Sequence, residues 1–433
     1  MNYLFFALVL LGFLSTAWQQ WHWLPQGDGL APMQLLSKAM MDAASASVSL
    51  AIGLIGSMAL FLGLMKVAER GGLLTILARL IRPLMVRLFP DVPAEHPAMG
   101  AMILNLAANA LGLGNAATPF GIRAMHELNR LNPLPGTATN AMALFVALNT
   151  ASITLVPSSV IAVRAALGSR EPAAILSTTL FATLCATLVA VPAARLLQRW
   201  VTALPETKQS VASATTEPVP EQAAALLPEI DAGYPPWVSR LALLALLAFV
   251  PVTILYGKQF SVWVLPGLVI GFLGFGLWRG VRVYEVFVEG AKEGFETAVR
   301  IIPYLVAILV AVAMFRSSGA MNGLVMVLAP LTTPLGLPAE ALPMALLRPF
   351  SGSGAYGLMT AIMQDPAIGP DSYIGMLVST IQGSTETTFY VLAVYMGAVQ
   401  VQRLRHTLAA ALLADLAGLA AAVWICAFLF GER

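Results

Sequence analysis

Two runs of amide and hydroxyl residues interrupt otherwise apolar stretches of the chain: Asn149-Thr-Ala-Ser-Ile-Thr154 and Gln382-Gly-Ser-Thr-Glu-Thr387. An amide opens each run, and hydroxyls recur at Ser152 and Thr385 and again at Thr154 and Thr387. Pro157 follows the first run and Gly383 lies inside the second, so a helix carrying either run can unwind there. Oxygen donors of this kind suit a polar solute, Na⁺ or a proton better than a soft transition metal. Glu386 is the only carboxylate in either run, and an intramembrane carboxylate is a functional hypothesis by default. The alternative for Glu386 is a structural ion pair with Arg348. The hydroxyls could instead bond back to their own helices.

Two further segments are dense in glycine and small polar residues, GLGNAATP at 112–119 and SGSGAYG at 351–357. Each sits at the tip of an apolar hairpin, 98–125 and 341–363, whose arms of roughly 10–15 residues are too short to span a bilayer. A tip with free backbone groups cannot face lipid and must be packed in protein or line a wet cavity. Asn115, Thr118, Ser351 and Ser353 are therefore candidate ligands from the tips. Asn105 and Asn109, one helical turn apart, are equally readable as interhelical hydrogen-bonding residues.

Catalytic chemistry finds little support. His22, His96, His126 and His406 all fall in loops or at helix ends, and there is no HExxH, CxxC or GxxxxGK[ST]. Ser353 stands in Gly-Ser-Gly, but no histidine inside a predicted crossing helix could activate it. Cys185 and Cys426 lie far apart in apolar segments and read as small buried hydrophobes, so no metal or resident cofactor is expected.

These residues need a scaffold, and composition names it. The chain of 433 residues is 58% hydrophobic and 11% charged, with apolar blocks such as 241–256 and 262–278. A soluble domain carries roughly 25% charge. Apolar length predicts nine crossing helices near 3–20, 46–65, 138–163, 173–195, 238–256, 260–278, 299–315, 372–400 and 407–428. Segments 70–90 and 280–300 read as amphipathic helices lying at the interface. Residues 206–236, rich in Ala, Pro, Ser, Thr and Glu, read as a cytoplasmic linker between membrane halves 1–205 and 237–433. Most of the 24 Lys and Arg residues fall on one side if the N-terminus is cytoplasmic. The net charge of +2 is scattered over helix ends and suggests no nucleic-acid partner.

Each half repeats one order of parts: a crossing helix, an interfacial helix, a re-entrant hairpin and a helix interrupted by hydroxyl residues. The matching helices lie five crossings apart, an odd number that inserts the halves with opposite orientation. The expected fold is thus an all-α polytopic membrane protein of two inverted repeats, the architecture of many secondary transporters.

At these motifs the chain resembles a known family. GLGNAATPFGIRAM with NTASITLVPSSVIAVRAA is similar to spore maturation protein A, and RPFSGSGAYGLM with GSTETTFYVLAVYMGAV is similar to spore maturation protein B. Both belong to the family carrying the gate, or nucleoside-recognition, domain. The resemblance covers nearly the whole chain apart from the linker. It implies a hairpin-containing, inverted-repeat membrane protein of the bacterial inner membrane and names no solute. Together these readings lead to a secondary transporter of a small polar solute, nucleoside or nucleobase foremost, working by alternating access and embedded in the lipid bilayer as a homodimer. Its site would draw on Asn115, Thr118, Asn149, Ser152, Thr154, Arg348, Ser351, Ser353, Gln382, Thr385, Glu386 and Thr387. Glu386 would couple transport to H⁺ or Na⁺, with Arg348 as counter-charge or anion ligand. The competing class is a non-transporting ligand sensor or envelope scaffold.

Overall fold

The computed structural model describes residues 2–24, 30–112, 117–200, 234–332, 334 and 336–431. The expected linker falls almost wholly outside the described residues, as does Asn115. Among the described residues there is no strand, only helices and their connections.

The first half runs α1 (Asn2–Trp21), α2 (Pro32–Arg70), α3 (Leu73–Leu88), α4 (Pro97–Ala110), α5 (Thr118–Arg130), α6 (Asn140–Ala151), α7 (Ser158–Ala166) and α8 (Ile175–Leu197). The second runs α9 (Pro236–Trp278), α10 (Val283–Ser317), α11 (Ala320–Thr332), α12 (Leu342–Leu347), α13 (Gly352–Gln364), α14 (Tyr373–Ser384), α15 (Thr388–Ala398) and α16 (Thr407–Phe430). The two lists correspond term by term. Helices α4/α5 and α12/α13 are the hairpins, while α6/α7 and α14/α15 are the interrupted helices. Three stretches, Pro32–Arg70, Pro172–Leu197 and Thr407–Phe430, are long and apolar enough to cross a membrane by length and composition.

Two expected boundaries change. The spans at 238–256 and 260–278 are one helix of 43 residues, because the polar Gly257-Lys258-Gln259 step carries no turn-forming proline and the helix runs through it. At 1.5 Å per residue that is roughly 65 Å. Segment 280–300 is not a separate interfacial helix. It is the charged first half of α10, whose Lys66–Glu293 (2.8 Å) and Arg70–Glu289 (3.3 Å) ion pairs fasten it to α2. The element of the second half that matches α3 in order is α11 instead.

The inverted relation no longer depends on counting spans, because contacts give it directly. Helix α2 runs antiparallel to α10: a Cβ on Gly63 would meet Phe287, one on Gly290 would meet Leu62, and one on Gly294 would meet Ala59. The interrupted helices are antiparallel too. Phe145 stacks on Tyr395, Thr150 bonds Glu386, Gly383 lies against Pro157, and Arg164 reaches Ser379 and Pro370. Helix α8 opposes α16, with Thr178 beside Cys426, Phe181 on Trp424 and Ala186 beside Gly418. Each first helix caps the other half's long one. Ser15 and Gln19 of α1 donate to the Ser318 carbonyl after α10, and Arg279 after α9 donates to the Gly71 carbonyl after α2.

Packing follows the same pseudo-symmetry. One apolar core joins hairpin α4/α5 and α6 to α15, and the other joins hairpin α12/α13 and α14 to α7. Each core thus takes a hairpin from one half and the distal piece of the other half's interrupted helix. The two cores meet where those helices break.

Candidate functional site: the crossed helix breaks

The chain leaves helical geometry at 152–157 and again at 385–387. Ser152 and Thr385, paired by the sequence motif, are the residues at which α6 and α14 end. Ser152 holds φ 25° and ψ 92°, a left-handed conformation that costs a non-glycine residue about 1–3 kcal/mol. The breaks touch: the Glu386 N–H donates to the Thr150 carbonyl at 2.8 Å. Each hairpin also reaches the break of its own half by one backbone bond, Leu155 N–H to Ala110 C=O and Phe389 N–H to Pro349 C=O, both 2.9 Å.

Close approach explains the glycines at two of these points. A Cβ on Gly112, at φ +73°, would lie 2.6 Å from the Val156 carbonyl oxygen. One on Gly352 would lie 2.8 Å from Thr387 Oγ1. Both tips need glycine to seat against a break.

In the first half the amides bond mainly to one another and to structure, although Asn105 Oδ1 is buried without a partner. Asn109 Nδ2 donates to Asn149 Oδ1 at 2.8 Å, and Asn149 Nδ2 donates to the Phe145 carbonyl at 2.9 Å. Tyr395 OH accepts from Asn105 Nδ2 at 3.0 Å and donates to Asn149 Oδ1 at 3.4 Å. Asn105 also ties one hairpin arm to the other through the Ala117 carbonyl. Thr154 Oγ1 donates to the Ser152 carbonyl at 3.3 Å. Thr118 opens α5 and is half-buried.

In the second half an arginine replaces the amides. Arg348 ends α12, is buried, and forks onto the end of α14. Its Nη2 donates to the carbonyls of Gln382 (3.1 Å) and Thr385, and its Nη1 donates to Thr387 Oγ1 at 3.0 Å. A cation there satisfies carbonyls that a broken helix leaves orphaned and faces the negative end of its dipole. No ion pair joins Arg348 to Glu386 within 4.0 Å. The half-exposed Glu386 carboxylate has no hydrogen bond or ion pair among the described residues. Ser351 is the N-cap of α13, its Oγ accepting from Gly354 N–H at 3.0 Å, whereas Ser353 on the first turn is exposed.

Two charged residues escaped the sequence reading. Asp415 on α16 is buried beside the second break, where one carboxylate oxygen accepts from the Thr388 hydroxyl and the other has no partner. It is the one acidic residue in the apolar run 407–428, which was signal enough to flag it. Arg164, which the sequence reading did not single out, is 0% exposed and bonds Asp371, Ser169, Ser379 and the Pro370 carbonyl. The geometry thus gathers Asn149, Ser152, Thr154, Arg348, Gln382, Thr385, Glu386 and Thr387 around one crossing.

A polytopic helical membrane protein with two antiparallel broken helices and two hairpins is the class that fold and site define. The chain belongs to the nucleoside-recognition Gate family, which it matches over residues 51–200 and 298–402, one segment in each half. It is 48% identical over 172 residues to spore maturation protein B of Bacillus subtilis (strain 168), spanning 40% of this chain and 96% of that one. It is 45% identical over 152 residues to spore maturation protein A of the same organism, spanning 35% and 78% respectively. Among solved structures, CNTnw in an inward-facing substrate-bound state overlays with a TM-score of 0.44 and 14% identity, over 99% of this chain and 91% of its own. The YdaH transporter of Alcanivorax borkumensis gives 0.42 and 18%, over 98% and 97%. At these scores the backbones diverge too far to transfer any residue's role.

Proposed function

We propose that the chain is a secondary transporter rather than an enzyme, moving a small polar solute through the crossed breaks by alternating access. Nucleosides and nucleobases are the first solutes to test, because the family is described as nucleoside-recognising. The observation that carries this reading is the crossing itself. Two antiparallel interrupted helices meet at their unwound residues, each seated against a hairpin tip, and one carboxylate there, Glu386, lacks a partner among the described residues. Inverted repeats with broken elements meeting inside the bundle place a solute between two gates, one opening to each side.

Roles within the site follow from the bonding. Gln382, whose Oε1 is buried without a partner, and Glu386 are the side chains of the second break with capacity left for a ligand. Ser152, Thr154, Thr385 and Thr387 offer hydroxyls, Thr118 stands at the start of α5, Ser353 is the exposed hydroxyl of the second tip, and Asn115 is added from the sequence motif alone. Arg348, Asn149 and Ser351 hold the breaks and tips in place. Glu386 is the coupling group, with H⁺ or Na⁺ as the ion. The cell location is a bacterial inner membrane with the N-terminus in the cytoplasm, and the working unit is a homodimer.

Uptake into proteoliposomes over a nucleoside, nucleobase and amino-acid panel, with and without ion gradients, tests the reading. Transport of at least one polar solute is expected. No uptake, together with unchanged thermal stability under every solute, refutes it. Glu386→Gln should leave solute binding detectable while abolishing gradient-driven accumulation; retained accumulation removes Glu386 from coupling.

A second reading, a ligand-sensing membrane scaffold, is favoured by the relatives' names, which describe spore maturation and no solute. It predicts solute-dependent thermal stabilisation without flux.

A further inference from the structure

An apolar groove of about 560 Å³ runs between α3 and the start of α9. Leu80, Leu84, Ala245 and Phe249 supply its apolar wall, and Leu155 of the first break also lines it. Among the described residues, three polar side chains line it: Arg87, Arg240 and Ser239. Both arginines are exposed, and no ion pair within 4.0 Å is recorded for either among the described residues. The Ser239 hydroxyl is buried and has no hydrogen-bond partner. An apolar slot that keeps two free cations and one unsatisfied hydroxyl is complementary to an amphiphile with an anionic, oxygen-rich head.

The surroundings put the groove at the level of lipid headgroups. Trp200 after α8 and Trp237 at the start of α9 are 85% and 66% exposed, the placement of tryptophans in an interfacial belt. Arg195 of α8 donates to the carbonyls of Arg87 and Leu88, bringing a third cation to the same end. Segment 239–249 of α9 covers roughly 15 Å at 1.5 Å per residue. That is about the hydrocarbon depth of one leaflet.

We propose that this groove is a site for one anionic phospholipid, with an acyl chain between α3 and α9 and the phosphate at Arg87, Arg240 and the Ser239 hydroxyl. The chain end then packs on Leu155, whose N–H bonds the Ala110 carbonyl. The lipid is thereby in contact with the first break. Basic pockets between membrane helices hold anionic heads through about 1 kcal/mol per cation, roughly fivefold in affinity each. A zwitterionic head gains far less.

The test uses the full chain, delipidated in detergent, with phosphatidylglycerol or phosphatidylcholine added back. Bound lipid is read by native mass spectrometry and stability by thermal shift. Phosphatidylglycerol should be retained and should raise the melting temperature, and phosphatidylcholine should do neither. Arg87→Gln with Arg240→Gln should weaken retention by roughly twentyfold or more. Leu84→Trp should fill the slot and abolish retention with both arginines kept. Equal retention of the two lipids, or unchanged retention in both variants, overturns the site. Deletion of residues 206–230 decides against the linker as occupant: retention stays the same if the lipid holds the groove, and a rise upon deletion overturns the proposal. None of these readouts requires transport, so the site and the transport reading fail independently.

Discussion

The two breaks share a backbone and differ in chemistry. Around Asn149 the first break is neutral, with the amides of Asn109 and Asn149 and the Tyr395 hydroxyl bonded to one another and to backbone. The second is charged, with Arg348 forked onto the end of α14 and the carboxylates of Glu386 and Asp415 nearby. Among the described residues, three buried polar atoms there lack partners, Arg348 Nε, Gln382 Oε1 and Asp415 Oδ1, against Asn105 Oδ1 in the amide network of the first. Desolvated polar groups left unpaired cost about 1–3 kcal/mol each. Folding alone does not reward that arrangement, whereas a solute, ion or water at the break would. The repeat therefore supplies a symmetric frame, and divergence of a few side chains has moved the chemistry to one side of it.

The largest break in that asymmetry should come from Arg348→Ala. It strips the donors from two carbonyls and one hydroxyl at once, and should cost roughly 3 kcal/mol or more. Thermal unfolding in detergent reads the loss, and Arg348→Lys should recover only part of it because an ammonium cannot fork. Next come the two tip glycines, which separate backbone from side-chain crowding. Gly112→Ala meets a carbonyl oxygen at positive φ and should cost about 2–3 kcal/mol. Gly352→Ala meets a hydroxyl that can turn away, and should cost about 1 kcal/mol. Equal costs would show that the hairpins seat alike. Asn149→Ala should lose about 1–2 kcal/mol by leaving Asn109 unpaired. It should also leave the ion dependence of uptake unchanged, in contrast with Glu386→Gln.

The last effect, smallest at neutral pH, belongs to His406, in the loop before α16. Its ring is buried with neither nitrogen hydrogen-bonded, and burial together with Arg405 lowers its pKa from 6.5 to about 4. The native ring therefore stays neutral where the unfolded one takes a proton. Stability should fall as pH drops through about 6.5 and level off below about 4. His406→Leu should flatten that part of the melting-temperature profile while leaving pH 8 stability nearly unchanged.

Much of this layout was readable beforehand, because each feature carried a local signature. Glycine-dense tips on short apolar arms marked the hairpins. The amide-opened hydroxyl runs marked where two helices could unwind, and the helices end within them, at Ser152 and Thr385. Continuity was not readable, since the polar step at 257–259 looks like a turn and is helix. Segment 280–300 looked interfacial for a related reason: its glutamates meet Lys66 and Arg70 on a partner 200 residues away in sequence, which no local window contains. Arg164 was missed for the same reason, because the Pro370 carbonyl and Asp371 that it bonds come from the other half.

The reciprocal capping of α2 by α9 and of α10 by α1 has a consequence for assembly. Each half completes itself with the other's first helix, so the contacts that hold them are those of a heterodimer. The tether between them raises local concentration. Two co-expressed polypeptides, 1–205 and 206–433, should find each other in the membrane and rebuild the same crossing. The partial matches to two separate relatives, each homologous to only part of this chain, are what such a two-piece origin would leave behind.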